Sequence, residues 1–382
     1  MSISIEELNS MNPDSYQIID IRDEAEIGHG AIPGAVAVAT EEIEGNEKID
    51  FSKKLVICCS RGKYSVDVAE ELSEKGIDAE SLEGGYIAWL IDNMKQKEAA
   101  EKAGEGSFAK DVEQSLRKKF RKSIWCKFTK AINEYELVKP GDKIAVCISG
   151  GKDSMLMAKL FQELKRHNKF NFEVKFLVMD PGYSPENRKV IEENARKMKI
   201  PIQIFESNIF ESVFEIEKSP CYICARMRRG YLYNFAQQMG CNKIALGHHY
   251  DDVIETILMG MLYSAQFQTM MPKLHSQNFE GMELIRPMYL IKEDAVKAWR
   301  DYNGLQFIQC ACRFTENCVS CGGGRGSKRD EMKELIAHFR KESDVIEKNI
   351  FKSVHNINLK TVIGYHKDDW TYNFLDDYND KK

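Results

Sequence analysis

Six of the eleven cysteines in this 382-residue chain are crowded into two short runs, and their spacing is that of metal ligands or sulfur carriers. Cys221 and Cys224 stand in "PCYICAR"; Cys310, Cys312, Cys318 and Cys321 stand in "FIQCACRFTENCVSCGGGRG". Two CxxC pairs suit a tetrahedral zinc site of four cysteines, here 221, 224, 318 and 321, and on spacing alone zinc leads. Position argues the other way. Residues 221–224 fall between two runs that read as parts of a nucleotide site, so their sulfurs are expected at the cleft where strand ends converge, where a structural zinc has no task.

The first of those runs is "SGGKDS", Ser149, Gly150, Gly151, Lys152, Asp153 and Ser154, placed after the β-like "KIAVCI" and before the helical "MLMAKL". Adjacent glycines let the backbone approach a phosphate, Lys152 adds charge, and the first turn of a helix offers unpaired N–H groups. The spacing is not that of a Walker loop, which needs four residues between its first glycine and the Gly-Lys pair. The second run is "IALGHHYDDVIET", where Gly247, His248, Asp251 and Asp252 lie at a strand end entering a helix. Paired aspartates there suit Mg2+ beside phosphates, with Asp252 as the nearest carboxylate, and His248 suits a departing or attacking group. The plain alternative is a helix cap with an acidic first turn; the two runs together disfavour it.

A further thiol lies in "CCSRGKYS". A β run ends at Cys58, and a short loop returns to a helix expected at about Val66. Such a loop aims backbone N–H groups and a helix dipole at the Cys59 sulfur, with Arg61 and Lys63 nearby, and favours an anionic persulfide. Cys58, inside the apolar run, reads as a small buried hydrophobe.

The elements that must position these groups alternate. "SYQIIDIRD", "AVAVA" and "KLVICCS" read as strands, "SVDVAEELSEKG" and "YIAWLIDNMKQ" as helices, which is an α/β pattern with a parallel sheet. "QKEAAEKAGEG", charged and Gly-broken, reads as a linker, and a second α/β series starts at "DKIAVCISGGKDS". The expected organisation is residues 1–95, a linker over 96–110, a second domain over 111–345 and a C-terminal extension over 346–382 with an acidic tail. Hydrophobic residues make up 43% of the chain, enough for two cores. The formal charge of −5 gives no global basic signature, so any nucleic-acid contact must be local. No run is long and apolar enough to span a bilayer, and the start lacks the features of a signal peptide; the expected location is cytoplasmic, with reduced thiols and no membrane partner.

Residues 1 to about 95 resemble the rhodanese-like sulfurtransferase domain, on "IIDIRDEAEIGHGAIPGAV" (Asp20, Arg22, His29, Pro33, Gly34), the Cys59 loop with Gly62 and Ser65, and "LEGGYIAW". Tyr64 stands where that family often has arginine. "SGGKDS" resembles the pyrophosphate loop of the N-type ATP pyrophosphatases, the PP-loop. Residues 110 to 345 resemble the tRNA 2-thiocytidine synthetases, on "GDKIAVCISGGKDS", "CYICARMRRGYLY", "KIALGHHYDDVIET", "LIRPMYL" and "FIQC". The fold implied is α/β: a small rhodanese-like parallel-sheet domain, then a doubly wound PP-loop domain of the adenine-nucleotide-hydrolase type. The family's 4Fe-4S cluster, held by three cysteines with its fourth iron open to sulfur, carries over to Cys221, Cys224 and Cys310, with Cys312 and Cys318 as rivals for the third ligand and zinc as the alternative metal.

The RNA partner has its own signal. "LRKKFRKSIWCKFTK" sets Arg117, Lys118, Lys119, Arg121, Lys122, Lys127 and Lys130 beside Trp125, and "RMRRG" adds Arg226, Arg228 and Arg229. Basic side chains neutralise phosphates and an aromatic ring can stack an unpaired base. The expected activity is ATP- and Mg2+-dependent thiolation of a pyrimidine C2 in tRNA. Sulfur arrives on Cys59 from a cysteine desulfurase or another donor; a homodimer is compatible with this reading. The competing readings are a thiolase of another base, a small-molecule PP-loop enzyme, and a zinc-stapled RNA-binding or redox module with a vestigial ATP site.

Overall fold

The computed structural model describes residues 2–102, 108–167, 170–207, 209, 220–308 and 328–378, with the backbone alone at 97–102, 220–222 and 344. Five strands form the first sheet: β1 (Ser2–Ile3), β2 (Tyr16–Asp20), β3 (Val36–Ala37), β4 (Lys54–Cys58) and β5 (Ala79–Leu82), in the order β1-β5-β4-β2-β3 with every pair parallel. Leu55, Val56, Ile57 and Cys58 of β4 are all buried, as befits a central strand covered on both faces. The accompanying helices are α1 (Ile5–Ser10), α2 (Glu24–Gly28), α3 (Tyr64–Glu74) and α4 (Gly85–Lys102). A capping box of Ser4 and Glu7 starts α1.

Next come α5 (Phe108–Arg117), a π-helical turn (Arg121–Trp125) and α6 (Cys126–Glu134). The second sheet is built from β6 (Lys143–Ile148), β7 (Glu173–Asp180), β8 (Ile202–Glu206), β9 (Lys243–Ala245), β10 (Lys273–His275) and β11 (Glu283–Ile285). Its order is β10-β11-β9-β6-β7-β8, parallel except for the antiparallel edge strand β10. After β6 the chain moves outward through α7 (Lys152–His167), β7, α8 (Pro185–Lys197) and β8, then crosses back through α9 (Pro220–Gln238) to β9 on the other side of β6. The strand order therefore reverses between β6 and β9, where the strand ends of an open α/β sheet leave a crevice. Both phosphate-site motifs follow these two strands. The helices α10 (Tyr250–Ser264) and α11 (Glu293–Tyr302) complete this part.

The chain parts into compact units at a place other than the expected linker. One unit holds residues 1–251 and 271–327, the other 252–270 and 328–382. The stretch expected as a linker over 96–110 is helical at both ends, as the last turns of α4 and the first of α5. The physical reason is apolar: Tyr86, Trp89, Leu90 and Met94 of α4 are buried in one cluster with Val112 and Leu116 of α5 and with the interior of the second sheet. The two sheets thus share a core. In the second unit, α12 (Lys328–Glu342) and α13 (Asp344–Ser353) precede a hairpin of β12 (Gly364–Lys367) and β13 (Trp370–Asn373). The acidic tail of the expected C-terminal extension is, through Asn373, part of that hairpin, with Tyr365, Trp370 and Tyr372 in ring contact. Among the described residues no helix is long and apolar enough to cross a membrane.

Candidate functional site

Cys59 sits one residue past β4, and α3 starts at Tyr64, two residues earlier than expected. The loop between them folds around the sulfur: Gly62 N–H at 3.2 Å, Ser65 N–H at 3.4 Å and Ser65 Oγ at 3.2 Å all meet Cys59 Sγ. Ser65 Oγ is held in turn by Ser81 Oγ at 2.8 Å. Donors fixed by backbone geometry stabilise an anionic sulfur without reorganising. Cys58 points into the core, where burial pushes its thiol far up, and it donates to the Cys59 carbonyl at 3.5 Å. Asp20 and Arg22 form a buried pair at 2.6 Å, and the guanidinium lies 3.7 Å from the centre of the Tyr86 ring.

The turn after β6 is tied together by Ser154: its Oγ accepts from Ser149 N–H at 3.2 Å and donates to the Gly151 carbonyl at 3.0 Å. The first-turn amides of α7 have no acceptor within the helix, the standard arrangement for an anion. Gly150 has φ +85°, and a Cβ there would stand 2.5 Å from Ile191 Cγ1 and 2.9 Å from Ile308 Cδ1. Gly150→Ala is therefore expected to cost roughly 2–4 kcal/mol, from the left-handed backbone and the overlap together, and a urea unfolding curve measures it.

Lys152 departs from the picture of an exposed phosphate ligand. It is 2% exposed, and its Nζ lies 3.1 Å from Asp153 Oδ2 and 3.0 Å from Glu293 Oε1. Burial opposes its charge, but Asp153 and Glu293 outweigh burial and leave the ammonium more basic than usual. Burial alone would raise the Glu293 carboxyl; Lys152, then His249 and Lys297, hold it well below the usual carboxylate range. Glu293 was not legible as a site residue. Its only local signal is an acidic first turn of α11, a feature of many helices.

The second motif meets the first. A Cβ on Gly247 would stand 3.2 Å from Ser154 N, so the turn after β9 lies against the first turn of α7. His249 Nε2 is 3.8 Å from Asp153 Oδ1, a buried oxygen without a hydrogen-bond partner among the described residues. His248 accepts at Nδ1 from Arg286 Nε at 3.3 Å; a guanidinium is a donor only, so the ring carries its proton on Nε2. Asp251 Oδ2 accepts from Glu293 N–H at 2.7 Å and thereby anchors the start of α11, the capping role for this residue. Asp252 belongs to the second unit, where Arg329 approaches its Oδ1 at 3.3 Å and Glu255 Oε2 at 3.4 Å. An orphaned buried carboxylate oxygen on Asp153 fits a cation better than Asp251 does.

The CxxC pair lies within α9: the helix opens at Pro220, a residue suited to a first helical position, and Cys221 and Cys224 follow three apart. Cys224 is half-buried among Ile223, Met227, Met179 and Ile209, an apolar wall that suits a cluster ligand. Cys310, Cys312, Cys318 and Cys321 lie outside the described residues, and the preceding run ends at Ile308 against Gly150. Among the described residues no three His, Cys, Asp or Glu side chains are gathered for a metal.

Of the basic segment, Arg117, Lys118, Lys119, Arg121, Lys122, Lys127 and Lys130 are all exposed. Lys119 lies 3.7 Å from the centre of the Tyr302 ring. Trp125 is committed elsewhere: it is half-buried against the core and stacks on Phe128 at 6.0 Å, so it is not an open platform for a base. A cleft of about 760 Å³ lies beside the segment, lined among others by Lys110, Arg117, Lys118, Arg166 and Lys199. Arg226 and Arg229 are exposed on α9, and Arg228 is partly so.

Two family models match the sequence, a rhodanese-like domain over residues 4–92 and a PP-loop domain over 120–313. The tRNA-cytidine(32) 2-sulfurtransferase of Citrifermentans bemidjiense is 32% identical over 238 residues, covering 61% of this chain and 90% of that protein. Its namesake from Alcanivorax borkumensis is 34% identical over 248 residues, covering 63% and 82%. Among solved structures, the U34-tRNA thiolase NcsA from Methanococcus maripaludis, with its 4Fe-4S cluster, is 20% identical at a TM-score of 0.49, covering 62% of this chain and 80% of that one.

Proposed function

Because the chain belongs to the tRNA-cytidine(32) 2-sulfurtransferase family of PP-loop proteins and carries a rhodanese-like domain, we propose that it replaces the C2 oxygen of a cytidine in tRNA, at position 32, by sulfur loaded on its own Cys59. The observation that carries this reading is the meeting of the Ser149–Ser154 turn with Gly247 at the strand-order reversal, in one chain with a thiol cradled by two backbone N–H donors and the Ser65 hydroxyl.

ATP is the activating substrate. Its phosphates lie along the turn of Ser149 to Ser154, and Lys152 exchanges a carboxylate partner for them. The C2 oxygen of the target base attacks the α-phosphate and pyrophosphate leaves; His248, with its proton on Nε2, acts as a donor to the developing charge. Asp153 is the residue that would hold Mg2+, whereas Asp252 is engaged by Arg329; when bound, the ion neutralises phosphate charge. The adenylated oxygen then departs as AMP when a sulfur nucleophile attacks C2. Where a persulfide sulfur is the nucleophile, the remaining S–S bond is cleaved by two electrons from a thiol reductant. Cys221, Cys224 and Cys310 would hold a 4Fe-4S cluster, which when bound offers an open iron for sulfur. The basic segment and its neighbouring cleft support an RNA backbone as the partner surface.

Nucleoside analysis of tRNA from cells with and without the protein tests the reading. 2-Thiocytidine is expected to vanish on deletion and to return with the intact gene. Unchanged 2-thiocytidine would remove the function.

A further inference from the structure

We infer that sulfur leaves Cys59 for a receiving site of the same chain, delivered by a donor loop held in a fixed place through the packing of α4 on α8. The inference rests on the sulfurtransferase reading above and adds the route.

A tethered donor would search for its acceptor, and the linker would set only an effective concentration. The contacts here are those of a docked donor. Tyr86, Trp89, Leu90 and Met94 of α4 share a buried apolar cluster with Val190 and Ile191 of α8, and α4 packs on α8 directly. Arg300, on α11 next to the second sheet, donates to the carbonyl of Gly28 at the end of α2. The two functional loops hang on the two packed helices. Tyr86 N–H meets the Cys59 carbonyl at 2.9 Å and Ile87 N–H meets the Ser60 carbonyl at 3.2 Å, so the sulfur loop is pinned to the first turn of α4. On the other side, Ile191 of α8 is the side chain that a Cβ on Gly150 would strike, so α8 abuts the phosphate turn.

The transfer balances without an outside oxidant. A thiolate of the receiving site attacks the outer sulfur of the Cys59 persulfide, the new S–S bond takes the thiolate's electron pair, and the old bond breaks with its pair on Cys59.

Two singly defective chains test the route. A chain carrying Lys152→Met with Glu293→Gln, loaded on Cys59 with radiolabelled sulfur and freed of excess donor, is mixed with a Cys59→Ala chain, ATP, tRNA and a thiol reductant. Loaded wild-type protein is expected to label tRNA, whereas the mixture gives no more label than the Cys59→Ala chain supplied with an equal amount of free sulfide. Label in the mixture at a quarter or more of the wild-type level would show delivery between chains and overturn the inference. Label absent from the wild type, while the Cys59→Ala chain still thiolates with sulfide, would instead remove Cys59 as the sulfur source and the inference with it.

Discussion

Lys152→Ala is expected to lower ATP-dependent thiolation and pyrophosphate release by roughly 10²–10³-fold, the usual cost of removing one preorganised charge from a transition state. Sulfur loading on Cys59 should be unchanged. The sequence alone makes this look like the loss of a surface contact; the structure adds a second consequence. Lys152 is buried between Asp153 and Glu293, so alanine leaves Glu293 without its main counter-charge, at about 3–5 kcal/mol for a broken buried pair. A dead enzyme and an unfolded one must therefore be told apart. Lys152→Met combined with Glu293→Gln removes both charges, and its unfolding midpoint should lie close to wild type while thiolation stays lost. Thiolation at the wild-type rate in that folded double variant would take Lys152 out of the chemistry.

The same pair predicts a pH signature. Because the folded Glu293 carboxyl titrates below its ordinary value, the stability it confers is complete above the ordinary carboxylate range and is lost as the pH falls through its lowered folded value. Acid unfolding of the wild type includes that loss, and the double variant should lack it. Comparing urea midpoints of the two proteins at neutral and acidic pH measures the difference.

What the sequence disclosed follows from how local each signal is. β4 and β6 are central parallel strands, buried on both faces, and their unbroken apolar runs announce them; the turns that follow then place Cys59 and Ser149 at strand ends. Glu293 comes to Lys152 from 141 positions along the chain, through a contact that no local pattern encodes. The charged stretch after Gln96 has the composition of a linker, while Tyr86, Trp89, Leu90 and Met94 just before it fix the first turns of the same helix into a core contributed by other elements, which no local pattern encodes. Trp125 shows the converse error, an aromatic that reads as a stacking platform beside basic residues but packs against the core and Phe128. Cys221 and Cys224 lie inside a helix because Pro220 suits its first position.

Cys59→Ser should abolish uptake of a sulfur atom from thiosulfate or a desulfurase, whereas Cys58→Ser should retain it. The two thiols are neighbours in sequence and opposites in environment. Cys59 Sγ receives two backbone N–H groups and meets the Ser65 hydroxyl, so an added anionic sulfur finds donors already in place. The Cys58 thiol is pressed toward its neutral form by burial and has Asp20, a negative charge, as its next unfavourable influence. A persulfide there would have to be neutral and would need room that a wholly buried strand residue lacks. Cys58→Ser is thus a packing change, with an expected stability cost of about 1–2 kcal/mol and its hydroxyl within reach of the Cys59 carbonyl that the thiol now meets. Mass spectrometry of each variant after exposure to donor reads the added sulfur directly, and a persulfide found on Cys58 alone would reverse the assignment. In tRNA thiolation the same serine at position 59 should eliminate transfer from loaded sulfur yet leave sulfide-driven thiolation intact, because the turn of Ser149 to Ser154, proposed to hold ATP, takes no atom from the Cys59 loop.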